Sequence, residues 1–497
     1  MADRFIILPR AGFRARSAEA QRVLSAFPDV ASTGPSAPHR LEAFGVDVTV
    51  RDVTAETGPK LVEMSPEAVA RLNAPDSPVR AVREVFYPLP LPVDVAPVAT
   101  AAAVAPAALH SFTVEVLDGN TAAPISGANV NAFSDFANRI GDGGITGANG
   151  KVSLTVSAAM LERVTASPPA GAGYWSGYRR NVAASGNIQI QVPPLSLPFV
   201  DSVRHFFPAT NFVPATGVKV GVIDTGCGPH TDINVVHGRN TVTGEARSDY
   251  QDGHYHGTHV AGLIGARAST TSNSADGVAP WVPLVSYRVF GAGQPGASNY
   301  AILKAMIDAA DEGCDIINLS LGGGPHNDIV EEAIVDARHQ GMLVVIAAGN
   351  NYRSAVSYPA AYPGATAVSA LGYEGTYPAG SGEELQAVRP PSSTQGAMEF
   401  IAHFSNVGAQ VAVTAPGVGA ISTLPNNRFG VLSGTSMAAP VIAGAAACLL
   451  SQNTAIHGMT RNRARSDTIA QLLQTNCRQR GFGLFFEGYG LPQSPMV

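Results

Sequence analysis

The sequence predicts an α/β protein: a doubly wound, mostly parallel sheet as the main body, preceded by a small α+β domain and a small all-β sandwich. Three observations predict it. Beyond residue 200, the short apolar runs VKVGVID, LVSYRVF, DIINLSL, MLVVIAAGN, TAVSAL and VAVTAPG alternate with longer helical stretches. Near-continuous apolar strands imply burial on both faces, hence helices on both sides of a parallel sheet. Between 110 and 198 the runs FTVEVLD, GANVNAF, KVSLTV and IQIQV alternate apolar with polar residues between Gly, Asn and Pro turns, the spacing of a small sandwich. Over residues 1–90, short strand and helix signals alternate in a β-α-β-β-α-β pattern.

In order along the chain, RFIILPR reads as a strand, 17–27 as a helix and GVDVTVRDV as a strand with period two. Ser65, with Glu67 in the first turn, caps a helix carrying Val69 and Leu72, and a strand runs through Val79, Val82 and Val85. Residues 91–109, PVDVAPVATAAAVAPAALH, mix proline and alanine without periodicity and read as an extended linker. The sandwich occupies 110–198, the large α/β domain 203–480, and 481–497 reads as a C-terminal tail. Within the large domain, SNYAILKAMIDAADEG opens on Ser298 or Asn299 and stacks Ile302, Met306 and Ile307, while HNDIVEEAIVDARHQG opens near Asn327 and closes at Gly341.

Composition narrows the function. A chain of 497 residues corresponds to about three domains at roughly 150 residues each. The 32 basic against 38 acidic side chains give a net charge of -6, too small and too mixed for a nucleic-acid or membrane-surface protein. Cys227, Cys314, Cys448 and Cys477 lack metal-ligand or small-scaffold spacing and read as unpaired thiols. The opening MADRFIILPRAGFRAR carries only a short apolar run before further arginines, so neither a Sec-type signal nor a membrane span is expected. The expected location is the cytoplasm or a non-classical export route, with secretion as the alternative.

Chemistry concentrates in three motifs. Asp224 ends VKVGVID, where ligands gather beyond the carboxyl ends of strands in an open α/β sheet. His256 opens HGTHVAG. Ser436 lies in SGTSMAAP among Gly434, Thr435, Met437 and Ala438, small or slender neighbours that let a substrate backbone approach. A serine hydroxyl needs a positioned base, a neutral imidazole suits that work, and a carboxylate fixes the imidazole's tautomer. A nucleophile opening a helix also gains from the oriented N–H groups there, and Pro440 is expected in the first turn, where proline is tolerated. His254, His256 and His259 form H-x-H-x-x-H, but no ligand carboxylate or general-base glutamate falls at a familiar spacing, so His259 reads as a hydrogen-bonded core histidine.

Asp224 in VIDTG, His256 in HGTHVAG and Ser436 in SGTSMAAP, in that chain order, resemble the subtilisin family of serine endopeptidases over roughly residues 203–480. The resemblance implies an oxyanion hole from the Asn350 side chain and the Ser436 N–H. It implies that Ser320, Leu321, Gly322 and Gly323 of SLGGG pair with an extended polypeptide substrate. It also places Ser357 near the base of an uncharged specificity pocket walled by Ala347, Ala348 and Gly349. Val441 stands where many relatives carry histidine. The loop ARASTTSNSADGVAP is no obvious copy of the calcium loop common in relatives, although Asp232 matches a carboxylate that often serves calcium; no cofactor is expected for the chemistry, and a structural calcium is the metal implied. Residues 1–90 resemble the family's inhibitory propeptide, an intramolecular partner released by a cut within 85–110, and 110–198 resemble a transthyretin-like or carboxypeptidase-regulatory sandwich. The expectation is a monomeric, self-inhibited proenzyme that hydrolyses polypeptides through Asp224, His256, Ser436 and Asn350. The alternatives are a peptide ligase or macrocyclase on the same fold, and a masked binding protein without activity.

Overall fold

The computed structural model describes residues 3–10, 12–13, 15, 17–28, 38–89, 109–208, 215–268, 275–388 and 398–493. The linker at 91–109 therefore lies outside the described residues except for Leu109, as does most of the stretch expected to hold a cut.

The N-terminal unit is a five-stranded antiparallel sheet in the order His39–Leu41, Val46–Val53, Lys60–Met64, Arg4–Pro9, Val79–Arg83. Its helices Ala18–Ser25 and Pro66–Leu72 are capped by Ser17 and Ser65, whose hydroxyls accept from Ala20 N and Ala68 N. Ile7, Val23, Leu24, Val50, Val62 and Leu72 close a core of its own. A short strand, Phe86–Tyr87, continues beyond the sheet and pairs with Ala297–Ser298 of the large unit.

The second unit stacks a three-stranded sheet (Lys151–Val156, His110–Asp118, Gly186–Val192) on a four-stranded one (Gly177–Ala183, Met160–Ser167, Asn129–Asp135, Ile140–Ile145). Val114, Val116, Val130, Leu161, Val164 and Ile190 fill the space between them. Strict alternation along Gly186–Val192 puts Ile188, Ile190 and Val192 inside.

The large unit carries an eight-stranded sheet. Its path runs Val235–Asn240, Leu284–Arg288, Val220–Asp224, Ile316–Leu319, Leu343–Ala347, Thr366–Tyr373, Glu399–Ile401, and Val411–Pro416 also pairs with Thr366–Tyr373. All neighbours are parallel except the last pair on the path, Thr366–Tyr373 with Glu399–Ile401. Helices Asn299–Asp311 and Asp328–His339 share one buried cluster on one face. Helices His256–Gly265 and Thr435–Gln452 share another on the opposite face. Val220–Asp224 is flanked by strands reached through connections running in opposite directions, so its carboxyl end is the topological switch point.

Two expectations change here. Residues 482–492 are no loose tail: Phe482 and Glu487 are buried, the Glu487 carboxylate accepts from Phe482 N and Gly483 N, and Tyr489 N bonds Ala412 O at 2.8 Å. Gly483, Gly488 and Gly490 adopt positive φ, so the segment docks by turns and shows no periodicity. Pro440 is not in the first turn, because the helix begins at Thr435 and proline is its sixth residue. Thr435–Gln452 is also long and apolar enough to cross a membrane, but most of it is buried inside the molecule.

Candidate active site

Asp224 ends its strand wholly buried, and its Oδ1 accepts from Thr225 N at 2.7 Å and His256 Nδ1 at 2.8 Å. An ionised carboxylate offers only acceptors, so against it Nδ1 is the donor and Nε2 is left as an acceptor. The imidazole is held where helix His256–Gly265 begins. Tyr255 at the cap position makes no side-chain cap. Asp252 caps instead, its Oδ2 accepting from Thr258 N at 2.8 Å and Thr258 Oγ1 at 2.6 Å, while Oδ1 accepts from Thr225 Oγ1 at 2.9 Å. Thr225 Oγ1 in turn accepts from Gly257 N at 2.8 Å. The strand end that carries the acid and the helix start that carries the imidazole are thus tied by one network. Glycine is required at the crossing: a Cβ on Gly257 would lie 2.0 Å from Gly226 O.

Asp252 escaped the sequence reading. Its signal is a helix cap placed three residues ahead of the cap position. Burial raises its carboxyl above the usual range, against the hydrogen bonds that lower it.

Ser436 is the second residue of Thr435–Gln452, so its N–H is among those a helix start leaves without an intrahelical partner. It lines one small cavity with His256, Asn350, Tyr255, Leu432, Ser433 and Met437. Here its hydroxyl donates to Ser320 O at 3.2 Å. Ser320 Oγ returns a bond to Ser436 O at 2.9 Å. That carbonyl is the one Pro440, four residues on and without an N–H, cannot reach, which is how a proline inside the second turn is accommodated. The run of alanines is explained by packing: Ala438 to Ala447 are buried, and a Cβ on Gly444 would meet Val278 Cβ at 2.9 Å.

Asn350 follows Leu343–Ala347. Its Oδ1 accepts from Thr435 N and Thr435 Oγ1, both at 2.9 Å, which turns Nδ2 away from them. A Cβ on Gly434 would stand 3.3 Å from Asn350 Nδ2 and 3.6 Å from Ser436 N. Glycine therefore keeps clear a point close to both of these nitrogens.

The sequence of residues 215–491 matches the model of the subtilase family, Peptidase S8. The chain belongs to the subtilase family. It is 39% identical over 256 residues to subtilisin DY of Bacillus licheniformis, covering 50% of this chain and 82% of that one. Subtilisin BL and subtilisin Savinase of Lederbergia lenta are each 36% identical over 261 residues, covering 52% of this chain and 86% of theirs. The S41 psychrophilic protease has a TM-score of 0.49 at 26% identity, over 60% of this chain and 98% of that one. This subtilase is a subtilisin-like serine endopeptidase.

The other residues named from sequence fall around the subtilase's cleft. Ser320 and Leu321 are buried behind Ser436, and Gly322 and Gly323 come forward, Gly323 N bonding Tyr358 O at 3.1 Å. Ser357 N and Oγ both bond Ala348 O, at 3.0 and 3.1 Å. Gly349, at φ +108°, has no room for a side chain, since a Cβ would lie 2.5 Å from Ser357 Oγ. Ser320 to Gly323, Ala348, Gly349 and Ser357 thus form one contiguous patch. Val441 is buried in the helix.

The three histidines separate. His259 is buried with Nε2 3.1 Å from Ala420 O, its pKa pushed down to about 3 by burial, and His254 stacks on Tyr255 at 3.9 Å. Asp232 is buried, with Oδ1 accepting from Thr231 Oγ1 at 3.3 Å. It joins no group of three His, Cys, Asp or Glu ligand atoms among the described residues; His326, Asp328 and Glu331 form such a group elsewhere, on the surface. The neighbouring loop at 269–274 lies outside the described residues.

Proposed function

We propose that Ser436 is the nucleophile of a peptide-hydrolysing acyl transfer. His256 Nε2 takes the hydroxyl proton and delivers it to the leaving amine, and Asp224 holds the imidazole through Nδ1 and stabilises its cation. A rotation of the Ser436 side chain away from Ser320 O brings the hydroxyl to the base. Asn350 Nδ2 and Ser436 N receive the oxyanion at the point that Gly434 leaves open, and water resolves the acyl-enzyme. The observation that carries this reading is the meeting of an Asp224-bound imidazole, the Ser436 hydroxyl and the Asn350 and Ser436 nitrogens in one cavity. Gly322, Gly323, Ala348, Gly349 and Ser357 receive the acyl side of the substrate and favour an uncharged side chain.

The N-terminal unit acts as an intramolecular inhibitor in this reading. Phe86–Tyr87 pairs antiparallel with Ala297–Ser298, as an extended peptide does when it adds to a sheet edge. The Tyr87 ring lies where a Cβ on Gly324 would be 2.4 Å away, and Pro88 follows against Gly323. The chain thus heads into the acyl-side patch.

The test is direct. A fluorophosphonate should label Ser436 once the region of 85–110 is cut, and a cleaved peptide should gain the mass of water, which ligation does not add. Ser436→Ala should stay full-length; clipping near residue 100 in that variant would rule out self-processing. Asn350→Ala should lower kcat by about 10² to 10³, the loss such a donor shows in subtilisin. Unchanged turnover would remove Asn350 from the site.

A further inference from the structure

Between the sandwich and the large unit lies a groove of about 470 Å³, within the range of about 300 to 1,000 Å³ typical of ligand sites. One wall is the sandwich loop carrying Pro168, Pro169, Ala170 and Tyr174; the other is formed by Leu432 of the strand Arg428–Leu432 and by Tyr255, just ahead of His256. Tyr255, Leu432 and Ser433 also line the cavity that holds His256 and Ser436, so groove and catalytic cleft are continuous. None of the acyl-side patch, Ser320 to Gly323 or Ser357, touches the groove. The two leave the triad in different directions. In acyl transfer the imidazole gives its proton to the departing amine, so the leaving segment lies on the imidazole's side of the scissile bond. That is the side on which the groove opens.

The sandwich wall is held in place. Trp175, next to Tyr174, is wholly buried in the core cluster that contains the nucleophile helix. Ser176 Oγ bonds the Glu383 carboxylate at 3.2 Å, Tyr178 Oη bonds Glu384 at 2.6 Å, and Tyr174 Oη bonds Asp118 at 2.8 Å. Pro168, Pro169, Ala170, Leu432 and the rings of Tyr174 and Tyr255 give the groove more apolar than polar surface, suited to apolar side chains on an extended strand, while Arg428 and Glu383 also line it.

We infer that the sandwich builds the leaving-group side of the substrate site: the groove between Ala170 and Leu432 receives polypeptide downstream of the scissile bond and selects apolar residues there. This rests on the hydrolytic reading above. The test compares two substrates on the processed full chain: a peptide anilide with no residue beyond the scissile bond, and a quenched peptide extending four apolar residues beyond it. Ala170→Arg, which fills the groove without touching the triad, should lower kcat/KM at least tenfold for the long peptide and leave the anilide within twofold. Equal losses on both, or no loss on either, would overturn the assignment. A mutation-free measurement guards against misfolding: in the unaltered enzyme, kcat/KM should rise at least tenfold as the downstream segment grows from one to four residues, and fall again when those residues are aspartates. A flat series would overturn it too. Fluorophosphonate labelling keeps the two readings apart: a labelled enzyme with a flat series loses only the groove, whereas an unlabelled protein that cuts neither substrate loses the hydrolytic reading and the groove with it.

Discussion

The N-terminal unit and the sandwich both lean on the same catalytic body, but they are attached in different ways. The N-terminal unit keeps its own closed core and lays Ile6, Leu8 and Leu61 against the outer helices, with Lys304 and Asp52 paired at 2.7 Å on the rim. Its deepest contact is backbone pairing of Phe86–Tyr87 at a sheet edge, which any extended peptide can reproduce. The sandwich instead places Trp175 inside the catalytic core, edge-on to Phe199 at 5.3 Å and filling the space that a side chain on Gly419 would need. No substrate can substitute for that contact. The comparison teaches that one partner is replaceable by competition and the other is a fixture, which suits an inhibitor and a piece of the cleft respectively.

The sharpest way to break this contrast is Trp175→Ala. Emptying a fully buried tryptophan site should cost about 3 to 5 kcal/mol, read as a lower urea midpoint of the whole catalytic body in a Ser436→Ala background. If only the sandwich loosens, it is an appendage after all. Tyr87→Ala is the counterpart, and losing a buried ring at a replaceable edge should weaken docking by about 2 kcal/mol, roughly thirtyfold. Activity should appear faster on processing, while an enzyme matured by a cut beyond residue 87 should melt unchanged. A lower melting point for the matured enzyme would mean that the N-terminal unit is needed beyond inhibition.

Acidity should pull the two contacts in opposite directions. At the sandwich interface His403 sits beside Phe136 and Tyr352, its pKa pushed down from 6.5 to about 4 by burial and by Arg353, Arg163 and Arg139. Its contribution is complete above about pH 6.5 and is lost as pH falls toward 4, by at most about 1.4 kcal/mol per pH unit. At the N-terminal interface burial raises the carboxyls of Glu84 and Glu332 above 4.5. Their contribution is present below about pH 4.5 and is lost as pH rises through the raised values. Hydrogen-exchange protection, corrected for intrinsic rates, should therefore fall on acidification at residues 175–178 and increase at residues 85–87. Parallel changes would contradict the assigned groups.

Much of the site was legible because its residues sit in local patterns: an acid ending an apolar strand, a histidine opening a helix of small residues, a serine flanked by glycine and alanine. The supports were harder to see. Asp252 does a cap's work from outside the cap position, and Ser320 Oγ serves a carbonyl orphaned by a proline 120 positions later. In the sandwich, IGDGGI and GYRRNVA form strands although glycine and arginine blur their alternation, because ladders to neighbouring strands compensate for weak propensity. Trp175 stands between Tyr174 and Ser176 in a glycine-rich stretch, and nothing near it in sequence points to the core it fills.

The sequence by itself determined which chemistry is available: residue types with a base, a carboxylate, a hydroxyl and an amide, each set at the end of a strand or the start of a helix by short-range rules. Only the tertiary structure decided that they meet. Asp224 and His256 lie 32 positions apart and Ser320 and Ser436 lie 116 apart. The carboxyl ends of parallel strands bring such residues to one rim, and the packing of side-chain-free glycines sets the final spacing. Where the sandwich wall stands was likewise decided by a buried tryptophan, because a contact between distant segments depends on the space left in a core that no local pattern describes.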